Sequence, residues 1–115
     1  HEICSKNGIE FVVVIIPDEV QINYDLQTEI RKTIYPIYQN KWNATYPNDK
    51  LKEKFNSLGI NYIDLYKYFA DASKHDQYYR LRDTHWNIAG NQLAANIIQN
   101  HIRKYVQNIA KYKFK

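Results

Sequence analysis

A chain of 115 residues is long enough for one domain with a modest core. Its apolar fraction of 44 % is ordinary for a globular protein. The net charge of +4 gathers near the end, on Arg103, Lys104, Lys111, Lys113 and Lys115. No nucleic-acid motif accompanies these residues, so they read as a solvated helix face and tail, and no nucleic-acid partner is expected. Cys4 stands alone and allows no internal disulfide.

Taken in order, residues 1–7 look helical, and Gly8 supplies a left-handed C-cap. Residues 9–16 read as a strand. Its run Phe11, Val12, Val13, Val14, Ile15, Ile16 is β-branched and continuously apolar, which suits a parallel strand covered on both faces. The run is far too short to span a membrane. Pro17 ends it, and Asp18 and Glu19 read as polar residues just past its carboxyl end, where open α/β sheets place a ligand crevice. A helix is expected over 24–35, with Leu26, Ile30 and Ile34 at spacing four, and Pro36 stops it. Residues 35–46 are aromatic, polar and aperiodic and read as loop. A second helix follows Pro47 and Asn48, with Leu51, Phe55 and Leu58 on one face and Gly59 closing it.

Residues 60–65 form the second strand, with Asp64 near its carboxyl end, and 66–73 a short helix. A polar connection over 74–82 leads to the last helix, from Ile88 to about Tyr112. Leu93, Ile97, Ile98, Ile102, Tyr105, Val106 and Ile109 make its buried stripe. Strands alternating with helices imply an α/β architecture with a parallel sheet. Two strands are too few for such a sheet, and an apolar strand at 11–16 is a poor exposed edge. With no Met anywhere in the chain, residues 1–115 are expected to be one partial domain, the later part of a longer protein. The strand at 11–16 is expected to meet either the rest of that protein or a second copy of this chain.

The strongest chemical signal is Asp83-Thr84-His85-Trp86-Asn87-Ile88-Ala89-Gly90. In an extended segment Asp83 and His85 point the same way. Asp83 can then hold one ring nitrogen of His85 and leave the other as a proton acceptor, the base-and-orienter half of a catalytic triad. Asn87 is a good N-cap, and the positive helix start is expected to keep His85 neutral. Gly90, a poor helix former, suggests close approach of a neighbouring backbone. A loop-fastening hydrogen bond is the bland alternative. A metal site built from Asp83, His85 and His75 or Asp76 is a weaker one, since two ligands and an uncertain third make a poor set.

The block Asp83-Thr84-His85-Trp86-Asn87, followed by Gly90 and Leu93-Ala94-Ala95, resembles the C-terminal block of SGNH hydrolases, or GDSL-type esterases. Its Asp-Thr-His-Trp form is similar to the alginate O-acetyltransferase branch of that superfamily. The strand ending in Pro17-Asp18-Glu19, and the stretch from Gly59-Ile60 to Asp64-Leu65, fit the same group. The resemblance implies the C-terminal portion of a three-layer α/β/α, flavodoxin-like fold. It implies a serine esterase or O-acyltransferase acting on ester or acetyl groups, of a carbohydrate or a lipid, with no cofactor and no metal. His85 resembles the general base, Asp83 its orienting carboxylate, and Trp86 is a candidate for stacking on a sugar ring.

The family's serine nucleophile and oxyanion-hole blocks find no counterpart here. Ser5, Ser57 and Ser73 are the only serines, and none has the setting of a nucleophile elbow. The partner implied is therefore the remainder of the same protein, carrying the serine, and this chain alone is expected to be inactive. In most of the superfamily the serine precedes the Asp-His block, and in the alginate branch it follows. Because Tyr112-Lys113-Phe114-Lys115 reads as a C-terminus, the nucleophile is expected before His1. The compartment is unread from the residues; the resemblance leans to the cell envelope or secretion. A non-catalytic relative that binds a glycan or a protein is the competing reading.

Overall fold

The computed structural model describes residues 1–33 and 42–113, with side chains described as far as residue 107. The expected loop over 35–46 and the helix positions from Ile34 onward lie largely outside the described residues.

Among the described residues six helices and two strands follow one another: α1 (Glu2–Lys6), β1 (Val12–Ile15), α2 (Glu19–Ile22), α3 (Tyr24–Thr33), α4 (Tyr46–Ser57), β2 (Asn61–Asp64), α5 (Tyr66–Ala72) and α6 (Ile88–Lys113). β1 and β2 pair in parallel, with Val14 opposite Ile63 and Ile15 opposite Asp64. The α/β reading and the parallel sheet are thus as expected. Both strands are shorter than the apolar runs that announced them. Among the described residues no strand pairs with the other edge of β1, and Phe11, Val12 and Ile16 are exposed.

Local chemistry accounts for most boundaries. Gly8 and Gly59 end α1 and α4 at φ of +66° and +63°, a region open to glycine at no steric cost. Pro47 sits in the first turn of α4, where its missing N–H is no loss. The short α2 was not expected. Asp18 builds it through a capping box, accepting from the Val20 N–H at 2.9 Å while the Gln21 side chain accepts from the Asp18 N–H at 2.8 Å. Glu19, read from the sequence as a loop residue, is buried as a result.

The core lies between the sheet and α6. Ile63, Leu65, Phe69, Tyr79, Ala94 and Ile97 form it, with Val14, Trp86, Leu93 and Ile98 packed against them. Burying each large side chain contributes roughly 1.5–3 kcal/mol. The stripe expected on α6 is buried only in its first half. Ile102 and Val106 are exposed, beyond the end of the core, and the side chain of residue 109 lies outside the description. On α4, Leu51 and Leu58 are exposed and Phe55 packs on Tyr62. The buried residue there is the polar Asn48, which links Gln21 of α2 (2.8 Å) to Asp64 of β2 (2.8 Å). Asp64 therefore fastens β2 to the helices and also accepts from the Tyr66 N–H at the start of α5.

Phe69 is wholly buried and meets the rings of Tyr78, Tyr79 and Trp86. Phe69→Ala is expected to cost about 3–5 kcal/mol of stability. Leu81→Ala, at a side chain 72 % exposed, is expected to stay within about 0.5 kcal/mol. Thermal or urea unfolding of the two variants checks both.

Candidate active site

The segment between α5 and α6 folds back on itself as a hairpin. Tyr79 and Trp86 form an antiparallel bridge. The Arg80 N–H donates to the His85 carbonyl at 2.9 Å, and the Asn87 N–H to the Tyr78 carbonyl at 3.0 Å. The core holds this base from below. Trp86 stacks on Phe69, with ring centres 5.2 Å apart and planes within 17°. The buried Tyr79 hydroxyl donates to the Pro17 carbonyl, just past the end of β1. Burial pushes the Tyr79 phenol up to about 12, so it stays a neutral donor at any ordinary pH.

Asn87 anchors the other side. Its side-chain oxygen accepts from the Gly90 N–H at 2.8 Å, the N-cap bond expected from the sequence, and its amide donates to the Gln77 carbonyl at 2.6 Å. Gly90 is buried against this hairpin. A Cβ there would lie 2.2 Å from the Tyr78 carbonyl oxygen and 3.0 Å from the Trp86 Cβ. The close backbone approach suggested by a glycine in the first turn of α6 is what the structure contains.

The tip of the hairpin is not extended, contrary to the simplest expectation. The Asp83 N–H donates to the Arg80 carbonyl at 3.2 Å, closing a turn with Arg82 at φ +60°. The His85 N–H donates to the Asp83 carbonyl, a γ-turn about Thr84 at φ +46°. Left-handed backbone at non-glycine residues costs about 1–3 kcal/mol each and clusters at functional sites. Asp83 and His85 converge all the same. His85 Nδ1 lies 2.7 Å from Asp83 Oδ1 and 2.7 Å from the Asp83 carbonyl oxygen. Both oxygens accept, so Nδ1 carries the proton, and the neutral ring presents Nε2 as its free acceptor.

The His85 side chain is 78 % exposed and Asp83 46 %. The hydrogen bond from the ring to the Asp83 carboxylate, then the bond to the Asp83 carbonyl and the carboxylate charge, raise the His85 pKa above its ordinary value; Arg80 opposes this weakly. That reverses the expected sign, because a carboxylate in contact outweighs the partial charge of a helix start. The ring opens on a shallow cleft lined by Ile16, Arg80, Thr84, His85, Trp86 and Asn91. Trp86 reaches this cleft while one face is occupied by Phe69. None of the three serines lines it. Asp76 lines a different pocket, and among the described residues no three His, Cys, Asp or Glu side chains gather as metal ligands.

Comparison with known proteins now bears on this geometry. Residues 4–115 match the family model for the SGNH hydrolase-like domain of the acetyltransferase AlgX. The chain belongs to the AlgX family. It is 26 % identical over 108 residues to the alginate biosynthesis protein AlgX of Pseudomonas putida (strain KT2440), an alignment covering 90 % of this chain and 22 % of that protein. The chain thus spans about a fifth of the length of the curated relative it matches. No solved structure matches it.

Within this AlgX-family domain, sequence reasoning missed Arg80, Thr84, Ile16 and Asn91 as cleft residues. Asn91 was in principle findable, one turn of α6 beyond the cap Asn87. Ile16 is the last apolar residue of the strand run. Arg80 and Thr84 had little signal, because the left-handed residues of the turns that place them, Arg82 and Thr84, are neither glycine nor asparagine.

Two outcomes are expected. Gly90→Ala should destabilise the fold by about 1–3 kcal/mol, since a methyl group has no room beside Tyr78; thermal unfolding checks this. His85 should titrate at higher pH than in Asp83→Asn, as read by histidine NMR. The folded pKa lies above the unfolded one, so the Asp83–His85 contact contributes its stability in full below about pH 6.5. That contribution is lost as pH rises through the raised folded value.

Proposed function

We propose that this chain supplies the Asp-His half of a serine acyl-transfer centre that acts on acetyl esters of a carbohydrate, as an esterase or an O-acetyltransferase. The observation that carries the reading is the ring of His85, held at Nδ1 by Asp83 with its other nitrogen open to a cleft. Membership of the AlgX family supports the reaction class, and the similarity to an alginate biosynthesis protein of Pseudomonas supports a carbohydrate substrate.

In this mechanism a serine hydroxyl attacks the ester carbonyl while His85 Nε2 takes its proton. Asp83 stabilises the imidazolium that forms. The tetrahedral intermediate collapses, the C–O bond to the leaving alcohol breaks, and His85 returns the proton to that alcohol. Water then attacks the acyl-serine, giving an esterase, or a sugar hydroxyl does, giving a transferase. His85 deprotonates this second nucleophile as it did the first, and as the bond from the acyl carbon to the serine oxygen breaks, His85 returns that proton to the serine. Donors for the oxyanion come from other segments.

The serine is placed outside these 115 residues, in the same protein. Chain order in the alginate branch, where the serine follows the Asp-His block, favours a position after Lys115 over the one before His1 expected from the sequence. The same remainder is proposed to cover the open edge of β1. A raised His85 pKa fits the role of base: the neutral fraction, and with it turnover, rises as pH passes through that pKa.

The test uses a chromogenic acetyl ester. The protein as encoded should turn it over, and His85→Ala should reduce kcat about 10³-fold or more. The isolated 115 residues should show no turnover above buffer. A fluorophosphonate label on the intact protein should map to a serine outside residues 1–115. Full activity in His85→Ala would remove this function from consideration.

A further inference from the structure

The base of the hairpin is fastened by backbone hydrogen bonds and by the core, whereas its tip has few attachments. Within the loop the Asp83 N–H reaches the Arg80 carbonyl, and the Arg80 guanidinium stands a loose 3.8 Å from Asp83 Oδ2. Among the described residues one long-range side-chain contact reaches the tip. Arg82 donates through Nη2 to Oε2 of Glu29 on α3, 53 positions earlier in the chain. Arg82 is also one of the two left-handed residues, at φ +60°. Glycine or asparagine is the ordinary occupant of such a position, and arginine there is strained. Both partners of the ion pair are about half exposed, at 51 % and 52 %. A pair so exposed contributes little net stability. An arginine that strains the turn and stabilises the fold weakly is explained by what its side chain does to the residue that follows it.

We infer that Glu29 and Arg82 are a positioning pair, an ionic tether from α3 that fixes the turn on which Asp83 presents its carboxylate to His85. The inference rests on the acyl-transfer reading for its effect on turnover, and on geometry alone for its effect on the ring. Asp83 follows Arg82 directly, and Thr84, the second left-handed residue, separates Asp83 from His85. Rotation of the tip about Arg82 therefore moves the carboxylate relative to the ring. The charged groups facing His85 are Asp83 and Arg80 from its own loop. The segment just past β1 and helix α6 reach the cleft through Ile16 and Asn91, which do not titrate.

The experiment compares Arg82→Gly, Glu29→Gln and the charge-swapped pair Glu29→Arg with Arg82→Glu in the protein as encoded. It reads Tm, kcat, KM and the His85 titration midpoint by histidine NMR. Glycine accepts a positive φ freely, so Arg82→Gly should hold or raise Tm. It should nevertheless lower kcat about fivefold, the order of one exposed ion pair, with KM unchanged and the His85 midpoint moved down toward the ordinary imidazole value. Glu29→Gln, which leaves the turn untouched, should do the same, and the swapped pair should recover most of the loss. Wild-type kcat and an unmoved midpoint in Arg82→Gly would overturn the proposal. So would a parallel fall of Tm and kcat in Glu29→Gln with the midpoint unmoved, which marks a merely structural pair. If the wild type turns over no ester at all, the acyl-transfer reading fails, and the midpoint alone decides the tether.

Discussion

The site depends on the seating of one short hairpin against one aromatic core. Trp86 stacks on Phe69, and on the adjoining residue His85 the ring faces solvent. The proposed role of His85 as a base sets two contradictory demands, a fixed orientation and an open approach. The fold meets both by anchoring the residues around His85 while its ring stays exposed. Tyr79 is tied to the end of β1, Trp86 to α5, and Asn87 to the first turn of α6. Each tether comes from a different element, so a rigid-body shift of any one is resisted by the other two. The close packing of Gly90 on the Tyr78 carbonyl closes the arrangement without a side chain in between.

Electrostatics at the dyad follow from distance. The start of α6 offers about half a positive charge, spread over the N–H groups of its first turn and partly met by the Asn87 cap. Asp83 offers a full negative charge at hydrogen-bond distance, together with its own carbonyl on the same ring nitrogen. The closer and larger charge wins, and His85 binds its proton more tightly than a free imidazole. A stronger base is the more willing acceptor of a hydroxyl proton, and the same bond that strengthens it also fixes the tautomer. The helix contributes in another way, by placing Asn87 where its cap bond holds the hairpin's second arm.

Much of this was legible from local pattern. The two strands, the cap at Asn87, the left-handed Gly8 and Gly59, and the role of Gly90 rest on short-range rules that a sequence carries openly. What escaped depends on distant contacts. A period of two suggested that Asp83 and His85 converge along an extended segment, whereas they converge through a γ-turn about Thr84. Nothing in Arg82-Asp83-Thr84 announces two left-handed residues, because Gly and Asn are absent. The strain is held by the hairpin base and by Glu29, both supplied from elsewhere in the chain. Asp18 and Glu19 misled for a related reason: Asp18-x-x-Gln21 is a capping box, yet the helix it starts is too short to show a period. The second half of α6 keeps its apolar spacing through Ile102 and Val106, beyond the point where the described core ends.

The open edge of the sheet and the open face of the base belong to one surface. Ile16 leaves the carboxyl end of β1 with 57 % of its surface exposed, and it lines the cleft beside His85. Carboxyl ends of parallel strands are where α/β sheets gather their ligands. An apolar side chain there, next to an exposed apolar run, is poorly served by water. Polypeptide that extended the sheet past β1 would cover this residue and, by the same placement, bring its own strand ends to the rim of the cleft. On the proposed acyl-transfer reading, the hydroxyl that His85 would deprotonate and a strand that extended the sheet fall on the same side of the molecule. A single segment, a strand running into a loop, would supply both.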